Sequence, residues 1–154
     1  MTPSTGTAAG AFSAEERAAM KERAAELKTE AKRGRAADKA EAEKADMLEK
    51  IAGMPQPDRG MAERIHAIVG DVAPELAPKL YYGQPAWTSG GKPVVFFRSG
   101  QQDKDRYSTL GFSSLAQLDD ESGLWPSAYA LTKVTAEVEE RIARLVAHAA
   151  GLLD

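Results

Sequence analysis

Nine of the chain's ten aromatic residues fall between Tyr81 and Tyr129, whereas Ser13 to Lys50 has none and carries ten basic and ten acidic side chains. Aromatic side chains bring the largest buried areas to a core, so this segregation limits where a core can form. The charged stretch cannot build one alone. With 154 residues, 43% of them hydrophobic, the chain is expected to hold one ordinary domain plus accessory structure. The lack of any cysteine excludes a disulfide scaffold, a cysteine-ligated metal site and a catalytic thiol.

Residues 1–12 read as a disordered leader. Ser13 is an N-cap candidate with Glu16 three residues on, the spacing of a capping box. From Ala14 to Ala52 the composition is mostly Ala, Glu, Lys and Arg without proline, which favours helix, and Gly34 is the expected break. Met20, Ala24, Leu27 and Ala31 make only a narrow apolar seam. Charges four residues apart are mostly alike (Arg17 with Lys21, Glu22 with Glu26, Lys28 with Lys32), and each such pair opposes helix by about 0.2–0.5 kcal/mol. Residues 13–52 are therefore expected to form a charged helical extension that frays near Gly34, and residues 53–57 a linker.

The folded domain is expected over residues 58–154. Asp58 is an N-cap candidate, and Met61, Ile65, Ile68, Val69 and Val72 recur at helical spacing. A second amphipathic helix follows Thr135, with Val138, Ile142, Leu145 and Val146 on one face. Between them lie strand-like runs: Leu80–Tyr82, Ala86–Thr88, Lys92–Arg98, Arg106–Phe112 and Ala128–Thr132. Ser89-Gly90-Gly91 is a strong turn signal, and the continuous run Val94–Phe97 suits a strand covered on both faces. The fold class is α+β, an antiparallel sheet of four to five strands against two amphipathic helices.

Charge and hydropathy narrow the partners. A formal net charge of -3 and a pI near 5.5 give no overall field that draws a protein to nucleic acid, so no nucleic-acid partner is expected. The longest strongly apolar run, Val94–Phe97, is too short to cross a bilayer. Met1–Gly10 has neither the positive flank nor the apolar stretch of a secretory signal, so a soluble cytoplasmic protein is expected.

Strong catalytic motifs are missing: there is no phosphate-binding glycine loop, no Gly-x-Ser-x-Gly elbow and no His-Glu-x-x-His. His66 and His148, the two histidines, lie on separate helices. Asp119-Asp120-Glu121 is the densest carboxylate cluster; it reads as a solvated turn, with a weak site for a hard cation as the alternative. Lys32-Arg33-Gly34-Arg35, with Lys39, reads as a solvated helix face. Tyr82, Trp87, Lys92, Arg106, Tyr107 and Trp125 lie on or beside the sheet. If they converge, they suit a flat or anionic small molecule; otherwise the aromatics are core and the cations its rim.

Tyr82-Gly83-Gln84-Pro85-Ala86-Trp87, Gly91-Lys92-Pro93-Val94-Val95-Phe96-Phe97 and Leu110-Gly111-Phe112, flanked by helices, resemble the YdhG-like family, domain of unknown function 1801. The resemblance covers about residues 58–148. Arg106–Phe112, Leu118-Asp119-Asp120, Trp125-Pro126 and the charged N-terminal helix resemble a subgroup with an N-terminal extension. The resemblance implies a compact α+β domain. It also implies a non-enzymatic binding protein, in some members a frataxin-like carrier of weakly bound iron. Iron delivery of that kind uses an acidic helix ridge, for which the first core helix here offers Asp58, Glu63, Asp71 and Glu75. Two other readings stand beside it: a small-molecule binder or enzyme using the aromatic and cationic sheet face, and a protein or nucleic-acid interaction through the N-terminal helix.

Overall fold

A computed structural model describes residues 13–152; the leader expected at residues 1–12 lies outside them. Helix α1 (Ala14–Ala52) and helix α2 (Asp58–Val72) are followed by strands β1 (Ala77–Tyr81), β2 (Gln84–Ser89), β3 (Lys92–Arg98), β4 (Ser108–Phe112) and β5 (Ala128–Leu131), then helix α3 (Ala136–Ala149). The strands form one antiparallel sheet in the order β1-β2-β3-β4-β5, so the α+β expectation holds.

Helix α1 starts as its sequence predicts, with the Ser13 hydroxyl accepting the Glu16 backbone N–H at 3.0 Å. It does not break at Gly34. One glycine costs roughly 1 kcal/mol against alanine, and the surrounding Ala, Glu, Lys and Arg outweigh it. The helix stops where Gly53 N–H bonds the carbonyls of Glu49 and Lys50 and Pro55 follows.

The boundary expected near residue 53 lies earlier. The described chain divides into two compact units within α1, one ending at Lys39 and one beginning at Ala40. In the second unit Met47, Ile51 and Met54 are buried members of the hydrophobic core. Each contributes on the order of 1.5–3 kcal/mol of burial. Residues 40–57 thus belong to the second unit, and the otherwise exposed segment 53–57 is pinned to it by the buried Met54. Lys79 of β1 pairs with Glu43 of α1 at 3.8 Å.

Ile65 and Val69 of α2, Ile142 and Val146 of α3, and Trp87, Val95, Phe97 and Leu110 of the sheet share that core. Cross-strand partners lie on the same side of a pleated sheet. Trp87 pairs with Val95, and Phe97 with Leu110, which identifies the helix-covered face. The opposite face carries the register Ala86, Phe96, Gly111 and Ala128. Helix α3 is capped by Thr135, whose side chain accepts from Val138 N–H at 3.2 Å. Arg64 of α2 pairs with Glu139 of α3.

Asp58, expected as an N-cap, does something else. Pro57 occupies the cap position without a side-chain bond, and Asp58 is the first helical residue, only 2% exposed. Its carboxylate accepts from the Ser99 hydroxyl and from Gln101 N–H at 3.1 Å. Gln101 Nε2 in turn donates to Gln56 O at 2.9 Å. The start of α2 and the loop after β3 are thereby tied together.

Candidate functional site

The six sheet residues singled out by sequence do not converge. Trp87 is 1% exposed and belongs to the core. Its indole N–H donates to His66 Nδ1 at 3.2 Å, with the rings stacked at 6.2 Å. Arg106 and Tyr107, stacked on each other at 5.2 Å, line a recess with Asp58, Gly100 and Leu131. Trp125 lines another with Asp119, Asp120 and His148. Tyr82 and Lys92 share a third concavity, together with Tyr81, Gln84, Phe96 and Leu115.

The Trp87–His66 bond has a consequence for pH. Nδ1 can accept the indole proton only while it is itself unprotonated. Burial of His66, reinforced by the Lys44 ammonium, pushes its pKa below the ordinary value of 6.5. A folded-state pKa below the unfolded one means that this stabilisation is complete above about pH 6.5 and is lost as pH falls through the folded value. The thermal midpoint is expected to drop between pH 7 and pH 5, and less steeply in His66→Phe. Equal slopes for the two proteins would show that His66 does not govern the drop.

The acidic triplet also reads differently in three dimensions. Asp120 accepts from the Ser122 hydroxyl at 2.5 Å and from Ser122 N–H at 3.0 Å, which holds its carboxyl below its ordinary pKa. It closes a turn. Among the described residues, no group of three or more His, Asp or Glu side chains is arranged to hold a metal ion, so Asp119, Asp120 and Glu121 do not form the cation site considered from sequence. Asp119 and Asp120 line one recess with His148, and Glu121 does not. Glu63, Asp71 and Glu75 form no such group either, and Asp58 is committed to Ser99 and Gln101.

A larger concavity, about 630 Å³, is lined by Asp46, Glu49 and Lys50 of α1 with Leu80 and Gln101 and holds none of the six; the one shared by Tyr82 and Lys92, about 500 Å³ in volume, lies on the sheet side opposite the helices. Its floor is Phe96. A Cβ on Gly111 would fall 2.1 Å from Phe96 Cζ, so only a glycine there lets the ring lie against the neighbouring strand. One wall is the β1–β2 hairpin, where Tyr82 (φ 50) and Gly83 (φ 76) are both left-handed. A two-residue turn of this kind favours Asn-Gly. A tyrosine in the left-handed region is strained by on the order of 1 kcal/mol. Tyr82 is nonetheless 89% exposed and meets Tyr81 edge to face at 4.6 Å. The second glycine turn, Gly90-Gly91 (φ 60 and 82), delivers Lys92 to the other side. Ser113 is not a free nucleophile, because its hydroxyl donates to Pro93 O at 2.5 Å.

The Tyr-Gly element signalled Tyr82 in the sequence, and the Gly-Lys strand signalled Lys92. Tyr81, Phe96 and Leu115 were missed as site residues, because membership of the uncovered sheet face depends on register. No helix among the described residues is long and apolar enough to cross a membrane. Comparison with known proteins adds no further constraint: no family model, no curated protein and no solved structure matches the chain.

Proposed function

We propose that this chain is a non-enzymatic binding protein of the YdhG-like kind that takes a flat, anionic small molecule on the open side of its sheet. The observation that carries the reading is Tyr82. A bulky aromatic held exposed in a left-handed turn costs stability and packs little, and such strain is characteristic of ligand sites. Tyr81, Tyr82 and Phe96 offer ring faces and edges for stacking, while Lys92 supplies the one cation lining the concavity. Of its two serines, Ser113 is committed to a backbone carbonyl, and no His, Asp or Glu lines the concavity beside Ser114 to serve as a base, which favours binding over nucleophilic chemistry. The iron-carrying version has no comparable support among the described carboxylates.

The test uses 8-anilinonaphthalene-1-sulfonate, a flat anionic fluorophore. Tyr82→Asn is expected to weaken its binding by about 10-fold while raising the thermal midpoint, because asparagine suits the turn better by roughly 0.5–1 kcal/mol. Lys92→Glu is expected to weaken it at least as much by replacing attraction with repulsion. Binding unaffected by both changes would sink the proposal. A midpoint lowered by Tyr82→Asn would show that the tyrosine serves the fold.

A further inference from the structure

Residues 14–39 of α1 are helical and exposed throughout, and their charges are sorted by face. At 3.6 residues per turn, Arg17, Lys21, Lys28, Lys32, Arg35 and Lys39 fall within a sector about 60° wide. Across about 120° around that sector, the only other residues between 14 and 39 are Ala14, Ala24, Ala25 and Ala31. Glu15, Glu22, Glu26 and Glu30 lie on the opposite side, together with Arg23, which pairs with Glu26 at 3.2 Å, and Arg33. The five charged pairs spaced four apart in this stretch (17/21, 22/26, 26/30, 28/32 and 35/39) are all of like sign. That is the direct result of the sorting.

A helix needing only to be solvated would alternate its charges and gain from each such pair. This one forgoes that gain at five places and acquires a continuous cationic edge. The edge rises 1.5 Å per residue over 22 residues, about 33 Å, close to one turn of B-form DNA. The intervening side chains are all alanine, so the backbone can approach a groove closely. The net charge of the whole chain hides this feature. Residues 1–39 hold eight basic and six acidic side chains, and residues 40–154 hold twelve and seventeen. Charges further apart than a Debye length of about 8–10 Å are largely screened, so a partner senses the local edge rather than the total.

We infer that the basic face of α1 between Arg17 and Lys39 binds duplex DNA along its phosphate backbone. B-DNA's major groove, about 12 Å wide, admits an α-helix, and the acidic face then points to solvent. The face has no Asn or Gln and only alanine between its cations, so binding is independent of sequence. The inference stands apart from the ligand reading of the sheet face and shares no residue with it.

Full-length protein and a fluorescently labelled 20-base-pair duplex test it by anisotropy across a salt series. We expect a Kd of about 1–100 μM at 50 mM salt and a log–log salt slope near -5, the value for about six neutralised phosphates. Lys28→Gln with Lys32→Gln should weaken binding about 10-fold and reduce the slope by about 2. Arg23→Gln with Arg33→Gln removes the same charge from the other side of the helix and should leave both unchanged. Duplexes of unrelated sequence should bind alike. Equal weakening by the two double variants would overturn the inference, as would a Kd above 1 mM at 50 mM salt. Dimerisation in sedimentation velocity that Lys28→Gln with Lys32→Gln abolishes would also overturn it, because the acidic face of a second copy would then be the occupant. Unchanged helicity by circular dichroism confirms that each variant reports on the edge.

Discussion

Trp87→Ala is expected to destabilise the domain by about 4 kcal/mol and to lower its thermal midpoint by more than about 10 °C. Trp87 is the largest of the fully buried side chains. It stands where β2 pairs with β3 and meets His66 of α2. Truncation removes its buried apolar area and leaves a cavity that the sheet and helix can only partly close. Trp87→Phe separates packing from hydrogen bonding. It keeps a ring in the site and loses the indole N–H, and since His66 is only half-buried its Nδ1 can turn to water; about 1–2 kcal/mol is expected. Chemical denaturation of the three proteins decides the matter. A cost below about 1.5 kcal/mol for the alanine variant would contradict the place of Trp87 in the core.

Asp58→Ala is expected to cost about 3 kcal/mol, although it removes few atoms. The carboxylate is almost fully buried and satisfies the Ser99 hydroxyl and the Gln101 backbone N–H. Removing it strands the buried Ser99 hydroxyl and leaves the partly buried Gln101 N–H without its acceptor, and the expense of a buried unpaired group exceeds the net worth of the bond. The charge also sits at the first turn of α2, where the helix dipole favours it. Asp58→Asn retains one acceptor oxygen and should cost about half as much. In a double-mutant cycle with Ser99→Ala, the coupling should exceed about 1 kcal/mol. Strict additivity would mean that the two side chains do not share their energy.

The sheet was legible because its turns are written in glycine. Gly83 and the Gly90-Gly91 pair mark the first two hairpins, and the apolar run through Val94–Phe97 marks β3 as a strand, although helices cover only one of its faces rather than both. Helix α3 was legible from its stripe and from Thr135. The extent of α1 was not. Propensity locates a helix, but only packing reveals that Met47 and Ile51 point into a core whose other members lie far along the chain. Asp58 was misread for a related reason. An Asp before an apolar stripe is an ordinary cap signal, and its buried partners at Ser99 and Gln101 are more than forty residues away.

The functional residues divide along the same line. Tyr82 and Lys92 come from short local patterns and do share a concavity. Their grouping with Trp87, Arg106, Tyr107 and Trp125 rested on composition, which does not record the side of a strand from which a residue projects. Trp87 and Phe96 differ in role because the β2–β3 register sends them to opposite faces. The sorted charges of α1 were visible pair by pair as like-sign spacings. Their meaning as one edge required the unbroken helix through Gly34.

The strand order β1-β2-β3-β4-β5 bears on how the chain reaches this state. Every strand is hydrogen-bonded to its neighbour in sequence, so each new hairpin can zip onto the last with little loop-closure entropy. The distant joins are those that bring α2 and α3 together and seat the end of α1. Nucleation can therefore proceed within the sheet from local contacts, leaving assembly of the helical layer as the slow search. A ribosome releasing the chain in order would deliver α2, with His66 against Trp87, before the last helix, and would leave the rest of the sheet's apolar face exposed until Ile142 and Val146 emerge.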